Sequence, residues 1–297
     1  MTWTSFHIFF TSDRVFFINK CLIPLIKELS DTNLINSYFY ICYSENGPHI
    51  RLRLKPNCDA NILLVLCEKR VSYFFSIHPS PIDLNRNIEW YPNDSIFPIA
   101  YEPEIQRYGG LEGMSIIEDQ FKNSSEVVLS YINSNENSYN SLLNTAVKLH
   151  LTSAFAFSEG NIEIAVLFFC FLFRYKNEVN HHSFLYFDSN KDYVYSNYFN
   201  SQKDVFIEYV QTIWNNLKKE DFFDDKIEGW LKSESTVHNR LAALFNSNKL
   251  EIPFLYETFP LWSIYRSTVH MTNNRLSIYA IDEPLIAYML MQSLKFI

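Results

Sequence analysis

The chain has little of what marks several large protein classes. Six glycines and eleven prolines in 297 residues are too few for a collagenous or low-complexity polymer. Charged residues make up only 20% and hydrophobic ones 47%, which excludes disorder as a description of the whole chain. Its five cysteines, Cys21, Cys42, Cys58, Cys67 and Cys170, form no Cys-x-x-Cys pair, and most stand in apolar runs. That pattern predicts reduced core thiols of a cytoplasmic protein, with neither a disulfide framework nor a metal site. The most apolar run, residues 164–173, is about half a membrane span and predicts a buried helix. The opening MTWTSFHIFF lacks the basic start and cleavage site of a signal peptide. A net charge of −8 speaks against a global grip on nucleic acid, leaving room only for a local basic pocket. G-x-S-x-G, the P-loop, G-x-G-x-x-G and H-E-x-x-H are all absent, so hydrolase, nucleotidase, dinucleotide and zincin readings lack their minimum signal.

What the chain does have is aromatic bulk, 17% of residues with 26 Phe and 19 Tyr, enough to fill sizeable cores. Its first hundred residues alternate strand and helix signals. Residues 3–10 read as a strand, and Asp13 can cap a helix with apolar positions Val15, Phe16, Ile18, Leu22 and Leu25. Residues 38–43 and 49–54 read as strands joined by the hairpin loop 44–48, residues 57–75 as a helix, and 88–101 hold a last strand. The order β-α-β-β-α-β predicts a ferredoxin-like, split βαβ sheet. After Gly109-Gly110, helical spacing dominates at 112–133, 138–158, 161–177, 202–219, 224–246, 258–273 and 282–295. Polar stretches at 133–140 and 180–203 read as loops, the second long enough to act as a lid. The expected fold class is therefore α+β: a sheet lobe over residues 1–110, a mostly helical lobe over 111–297, and a cleft between them serving one functional unit.

Three segments carry candidate chemistry. In GPHIRLRL, alternation puts His49, Arg51 and Arg53 on one strand face and Ile50, Leu52 and Leu54 on the other. The first set reads either as a solvated outer face or as a preorganised anion site, since guanidiniums stay charged and fork onto carboxylates or an enolate. In YEPEIQRYGG, Pro103 suits a first helical turn, Glu104 and Arg107 share a helix face, and Gly109-Gly110 frees the backbone. This reads equally as a surface ion pair beside a hinge. In STVHMTNNRL, His270 and Asn274 lie on neighbouring helical faces. A lone histidine is more often structural than catalytic. His181-His182 lies in a polar loop, and His7, His78, His150 and His238 lack partners at ligand spacing.

Taken together and in order, Trp3, the Asp-capped helix leading to Pro24, GPHIRLRL, EPEIQRYGG and HM-x-x-NRL resemble the C-terminal elimination domain of class I lantibiotic dehydratases, including the stand-alone thiopeptide-type bacteriocin biosynthesis proteins. The resemblance implies a lyase that needs no cofactor. It removes glutamate by β-elimination from glutamylated Ser or Thr of a ribosomal precursor peptide, giving dehydroalanine or dehydrobutyrine. The implied partners are that precursor and a separate glutamyl-tRNA-dependent glutamylation protein, because this chain has no room for the larger glutamylation part. A cyclase is a further candidate partner. No direct nucleic-acid contact is implied. Family residues map onto Arg51, Arg53, Glu104, Arg107 and His270. Arg51 and Arg53 are expected to hold developing negative charge and His270 to act as base, a task suited to a group that titrates near neutrality. Glu104, Arg107, His49 and Asn274 are expected to bind substrate. Two other readings stay open: a pyridine synthase-like cycloaddition enzyme of thiopeptide assembly, and a non-catalytic module that binds the precursor.

Overall fold

The computed structural model describes residues 3–81, 89–134, 138–178, 189–222, 224–252 and 259–297. It opens with β1 (Thr4–Phe9), α1 (Arg14–Phe17), one π-helical turn (Ile18–Leu22) and α2 (Ile23–Asp31). Then come β2 (Ile35–Tyr43), β3 (His49–Pro56), α3 (Ala60–Ile77) and β4 (Ser95–Pro98). The strands stand in the order β2-β3-β1-β4 and every neighbouring pair is antiparallel. This is the split β-α-β-β-α-β sheet expected.

Local chemistry explains the boundaries. The Asp13 carboxylate accepts from the Phe16 N–H at 2.6 Å and starts α1. Pro24 cannot donate to a helical ladder, and the Ile23 N–H immediately before it reaches back to Ile18. The widened turn thus absorbs the break, and the helix continues into α2. Asp59 caps α3 by accepting from the Asn61 N–H. Ile50, Leu52 and Leu54 are fully buried, and Phe10, Phe17, Phe74 and Phe75 pack ring against ring.

Strand β2 is an outer strand whose free edge would invite other strands. Side chains cover it. The Cys42 N–H donates to Asn274 Oδ1 and Asn274 Nδ2 donates to the Cys42 carbonyl, both at 2.6 Å. The Tyr40 N–H donates to Ser125 Oγ, and the Tyr40 hydroxyl donates to the Arg275 carbonyl.

A short 3₁₀ turn (Ile105–Tyr108) leads into α4 (Gly110–Ser134), α5 (Tyr139–Phe157), α6 (Ile162–Glu178), α7 (Ser189–Lys219), α8 (Asp225–Asn246), α9 (Trp262–Arg275) and α10 (Glu283–Leu294). The expected α+β class holds. Two expectations change. Residues 101–104 have no regular structure, because Pro103 bars Glu102 from helical geometry, and the helical turn starts only at Ile105. Residues 189–203, expected as part of a loop, form the start of α7. Phe199 is buried there and Tyr195 packs against Phe173 and Tyr288, so tertiary docking outweighs a weak local preference. The remainder of that loop, with His181-His182, and positions 135–137 of the other lie outside the described residues. In α6, Ala165, Phe168, Phe169, Leu172 and Phe173 are buried, as expected for a core helix. No helix among the described residues is long and apolar enough to cross a membrane. All five cysteines are free thiols.

The chain divides into two compact units. One comprises Met1–Glu104, Phe121–Ser138 and Asn274–Ser277, the other Ile105–Gln120, Tyr139–Asn273 and Ile278–Ile297. The second is held by aromatic packing: Tyr265 stacks on Phe157 at 3.9 Å, Trp214 is fully buried, and Trp230 Nε1 donates to the Leu149 carbonyl and Ser153 Oγ.

Glycine requirements differ sharply along the second unit. A Cβ at Gly113 would stand 2.0 Å from the Tyr108 carbonyl oxygen, whereas one at Gly229 in α8 would meet nothing within 4 Å. Gly113→Ala should therefore lower stability by about 1–3 kcal/mol, since backbone cannot yield as a side chain can. Gly229→Ala should raise it by roughly 0.5–1 kcal/mol through helix propensity. Urea unfolding of the two variants checks the pair; equal effects would contradict the packing at Gly113.

Candidate functional site

The site begins with sheet register. Ser5, His7 and Phe9 of β1 stand opposite Arg53, Arg51 and His49 of β3, and residues directly opposite in an antiparallel pair share a face. That face is not the solvated surface that alternation alone allowed. His49 is 2% exposed, Arg53 4% and His7 7%. Aromatic rings enclose the group: His49 packs on Phe9 at 4.5 Å, and Phe9 stacks on Tyr91.

Hydrogen bonds order the polar atoms. His49 Nδ1 lies 2.7 Å from the Gly47 carbonyl, and Arg51 Nε–H donates to His49 Nε2 at 3.1 Å. A guanidinium can only donate, so His49 carries its proton on Nδ1. Arg53 Nη2 lies 3.4 Å from His7 Nε2, and the same reasoning makes that nitrogen an acceptor. The two imidazoles stack at 4.9 Å. Burial first, then Arg53, His49 and Arg51, push His7 down to about 3. Burial, with the neighbouring guanidiniums against the Gly47 hydrogen bond, takes His49 to about 4. Both rings are therefore neutral at pH 7 and add no charge to that of the arginines.

The two arginines are held differently. Arg51 lies 3.6 Å over the Tyr43 ring and reaches Glu45, itself largely exposed, at 3.5 Å. Arg53 has no carboxylate partner among the described residues. Its Nη1 donates to the Leu52 carbonyl at 3.5 Å, its carbon stands 5.3 Å from the Tyr101 ring, and its Nε is buried without a hydrogen bond. Ser5 Oγ, on the residue opposite, is also buried and unsatisfied. Burial, then Arg51, lowers Arg53 to about 10, so it remains charged at neutral pH. A buried cation with a spare donor is the chemistry of an anion site.

The other expected residues lie as follows. Glu104 is exposed at the end of the sheet unit's first segment. Asn274, in the same unit, commits both ends of its amide to the Cys42 backbone. Arg107 belongs to the helical unit, where its Nε donates to Ser267 Oγ at 3.2 Å. His270, in that unit too, places Nδ1 2.7 Å from Glu283 Oε1. Sequence reasoning missed Ser5, His7, Tyr43 and Tyr101. Ser5 and His7 were legible as strand residues, but which strand pairs with β3, and in what register, was not.

The chain belongs to the lantibiotic biosynthesis dehydratase C-terminal family, whose pattern matches residues 3–294. It is 32% identical over 119 residues to the epidermin biosynthesis protein EpiB of Staphylococcus epidermidis; that stretch is 40% of this chain and 11% of EpiB. Among solved structures it resembles the pyridine synthase TbtD from thiomuracin biosynthesis, with a TM-score of 0.78 and 14% identity, covering 100% of this chain and 99% of that one. TsrL matches with a TM-score of 0.76 and 13% identity, over 99% and 94%. The tRNA-dependent lantibiotic dehydratase MibB from Microbispora sp. 107891 matches at 0.65 and 14% identity, covering 99% of this chain and 28% of MibB. At those identities the likeness is one of fold.

Two stability predictions follow from the buried charge. Arg53→Met keeps the bulk and removes an uncompensated cation, so it should stabilise the fold, on the order of 1–3 kcal/mol; a fall in the unfolding midpoint would show that Arg53 is a structural group. The histidines act through protons. With folded values near 3 and 4 against about 6.5 unfolded, His7 and His49 cost nothing above that pH. Below it the unfolded chain binds protons that the folded chain refuses, so stability falls by up to about 1.4 kcal/mol per pH unit for each. Buried Glu234, raised to about 7, works in the opposite direction between about 7 and 4.5. His7→Gln should flatten the acid limb by about one proton, read from unfolding free energy between pH 6.5 and 4; an unchanged slope would mean His7 is charged in the fold.

Proposed function

We propose that the protein removes glutamate by β-elimination from glutamylated Ser or Thr residues of a ribosomally made precursor peptide. The observation that carries this reading is the Arg53 guanidinium: 4% exposed, without a carboxylate among the described residues, and with an unsatisfied Nε. Natural interiors rarely keep a bare cation unless an anion is meant to meet it. β-Elimination supplies such an anion, because an enolate develops as the Cα–H bond breaks. Family membership supports the same reading.

The electron flow assigns the roles. A base takes the Cα proton, the Cα–Cβ double bond forms, and the Cβ–O bond breaks with its electron pair leaving on the glutamyl carboxylate. Arg51 and Arg53 hold the negative charge, and charge-assisted donors fixed in advance stabilise such a transition state most. Neutral His7 and His49 accept from the guanidiniums without cancelling their charge, which keeps the cradle cationic. His270 is the base, and Arg107 and Glu104 handle the carboxylate and ammonium of the glutamyl group. This chemistry requires the precursor itself and an activity that installs glutamate on it.

The rival reading is a pyridine synthase-like cycloaddition, favoured by the end-to-end likeness to TbtD. A glutamate-handling arginine set has no evident use in joining two dehydroalanines, so elimination is preferred. The test is incubation of the purified chain with a synthetic glutamylated peptide, followed by mass spectrometry. Loss of one glutamate per site, without ATP or tRNA, is expected. Consumption of two dehydroalanines with no action on the glutamyl ester would replace this reading by the rival. Arg51→Ala and Arg53→Ala should each slow elimination by about 10²–10³-fold, and Arg→Lys should rescue poorly if the contact is two-pronged. Wild-type turnover by both Ala variants would remove the cradle from the mechanism.

A further inference from the structure

Besides the sheet face, the chain holds a second polar cluster, built wholly within the helical unit. His270 on α9 is partly exposed, and its Nδ1 lies 2.7 Å from Oε1 of Glu283, the first residue of α10. The Glu283 side chain is only 8% exposed. A carboxylate so withdrawn from water needs a reason to be there. The imidazole is one support, and Glu283 also stands in the first turn of α10, where the helix dipole favours negative charge. Both residues line a cavity of about 20 Å³, room for roughly one water.

We propose that Glu283 is a positioning residue for His270. The inference rests on the reading of His270 as the base that takes the Cα proton. A carboxylate only accepts, so the proton of the neutral ring sits on Nδ1 and the lone pair on Nε2. The ring is thereby held in one tautomer and orientation, with its basic nitrogen turned away from Glu283. When Nε2 takes a proton, the imidazolium forms beside a carboxylate already in place, and no groups must reorganise. The other titratable or charged groups around the cavity are His150 of α5 and Arg266 of α9; α6 contributes Leu172 and α9 also Asn273. Burial takes His150 down to about 4, so it is neutral where the reaction runs. Among the described residues that line the cavity, Glu283 is the carboxylate and Arg266 the cation.

The experiment uses the 297-residue chain and a synthetic glutamylated peptide, with kcat, KM and pH profiles for His270→Ala, Glu283→Gln, Glu283→Asp and the double variant His270→Ala/Glu283→Gln. Glu283→Gln should lower kcat about 10–100-fold, part of the ~10²–10⁴ that a placed base supplies, and leave KM unchanged. Its pH–rate profile should depart from that of wild type. Glu283→Asp should recover part of the rate, and the double variant should be no slower than His270→Ala. If His270→Ala is inactive while Glu283→Gln keeps the wild-type rate and pH profile, the positioning role is overturned and the base assignment stands. If His270→Ala is itself active, the base assignment falls and the role of Glu283 with it. Should Glu283→Gln fail to fold, histidine ¹⁵N resonances of the wild-type chain decide, with His270 identified by its loss in His270→Ala. A neutral ring protonated on Nδ1 supports the proposal, and one protonated on Nε2 overturns it.

Discussion

The sheet unit depends on the position of β3 between β1 and β2. A central strand has both edges paired, so its two faces are fixed by the registers on either side. With Ile50, Leu52 and Leu54 fully buried on one face, His49, Arg51 and Arg53 have no choice but the other. A slip of one residue would drive the guanidiniums into the apolar core and the leucines out. The antiparallel pairing with β1 then brings Ser5, His7 and Phe9 alongside, so the cationic cradle is a by-product of the same ladder that builds the core.

Two buried arginines in this unit show how differently one side chain can be used. Arg275 is fully buried; its Nε and Nη1 donate to Ser125 and Ser124, its guanidinium stands over Phe121, and its carbonyl accepts from Tyr40, while its Nη2, like Arg53 Nε, is buried without a hydrogen bond. It closes α4 residues onto the edge of β2 and behaves as a structural fastener. Arg53 has weak, long contacts and an unsatisfied Nε. The fold carries that charge at a cost in stability, and such costs gather where binding or chemistry requires them.

The histidines divide in a parallel way. His7 and His49 face guanidiniums and are held neutral, as acceptors. His270 faces a carboxylate instead, with Nδ1 2.7 Å from Glu283. His238 has a third setting, with Nδ1 2.7 Å from the Tyr265 hydroxyl and Nε2 3.3 Å from Glu159. One residue type is set to different tasks by the sign of the charge beside it.

Much of this protein was determined by sequence alone, and the reason is periodicity. Alternation over residues 49–54 specified a strand and both its faces, helical spacing specified seven helices after Gly110, and Asp13 marked where the first helix starts. These signals are local, and local geometry answers to them. Tertiary structure decided what depends on contacts distant in the chain. Alternation distinguishes two faces but not which is wet, so only the pairing with β1 and the rings of Phe9 and Tyr91 turn the His49–Arg53 face into a buried site. His7 joined that site through register, Asn274 was drawn to a strand edge 232 residues away, and the start of α7 became helical because Tyr195 and Phe199 found partners. Glu283 stands thirteen residues from His270, at no helical or strand spacing, and meets it only through the folding of the helical unit, to which both belong.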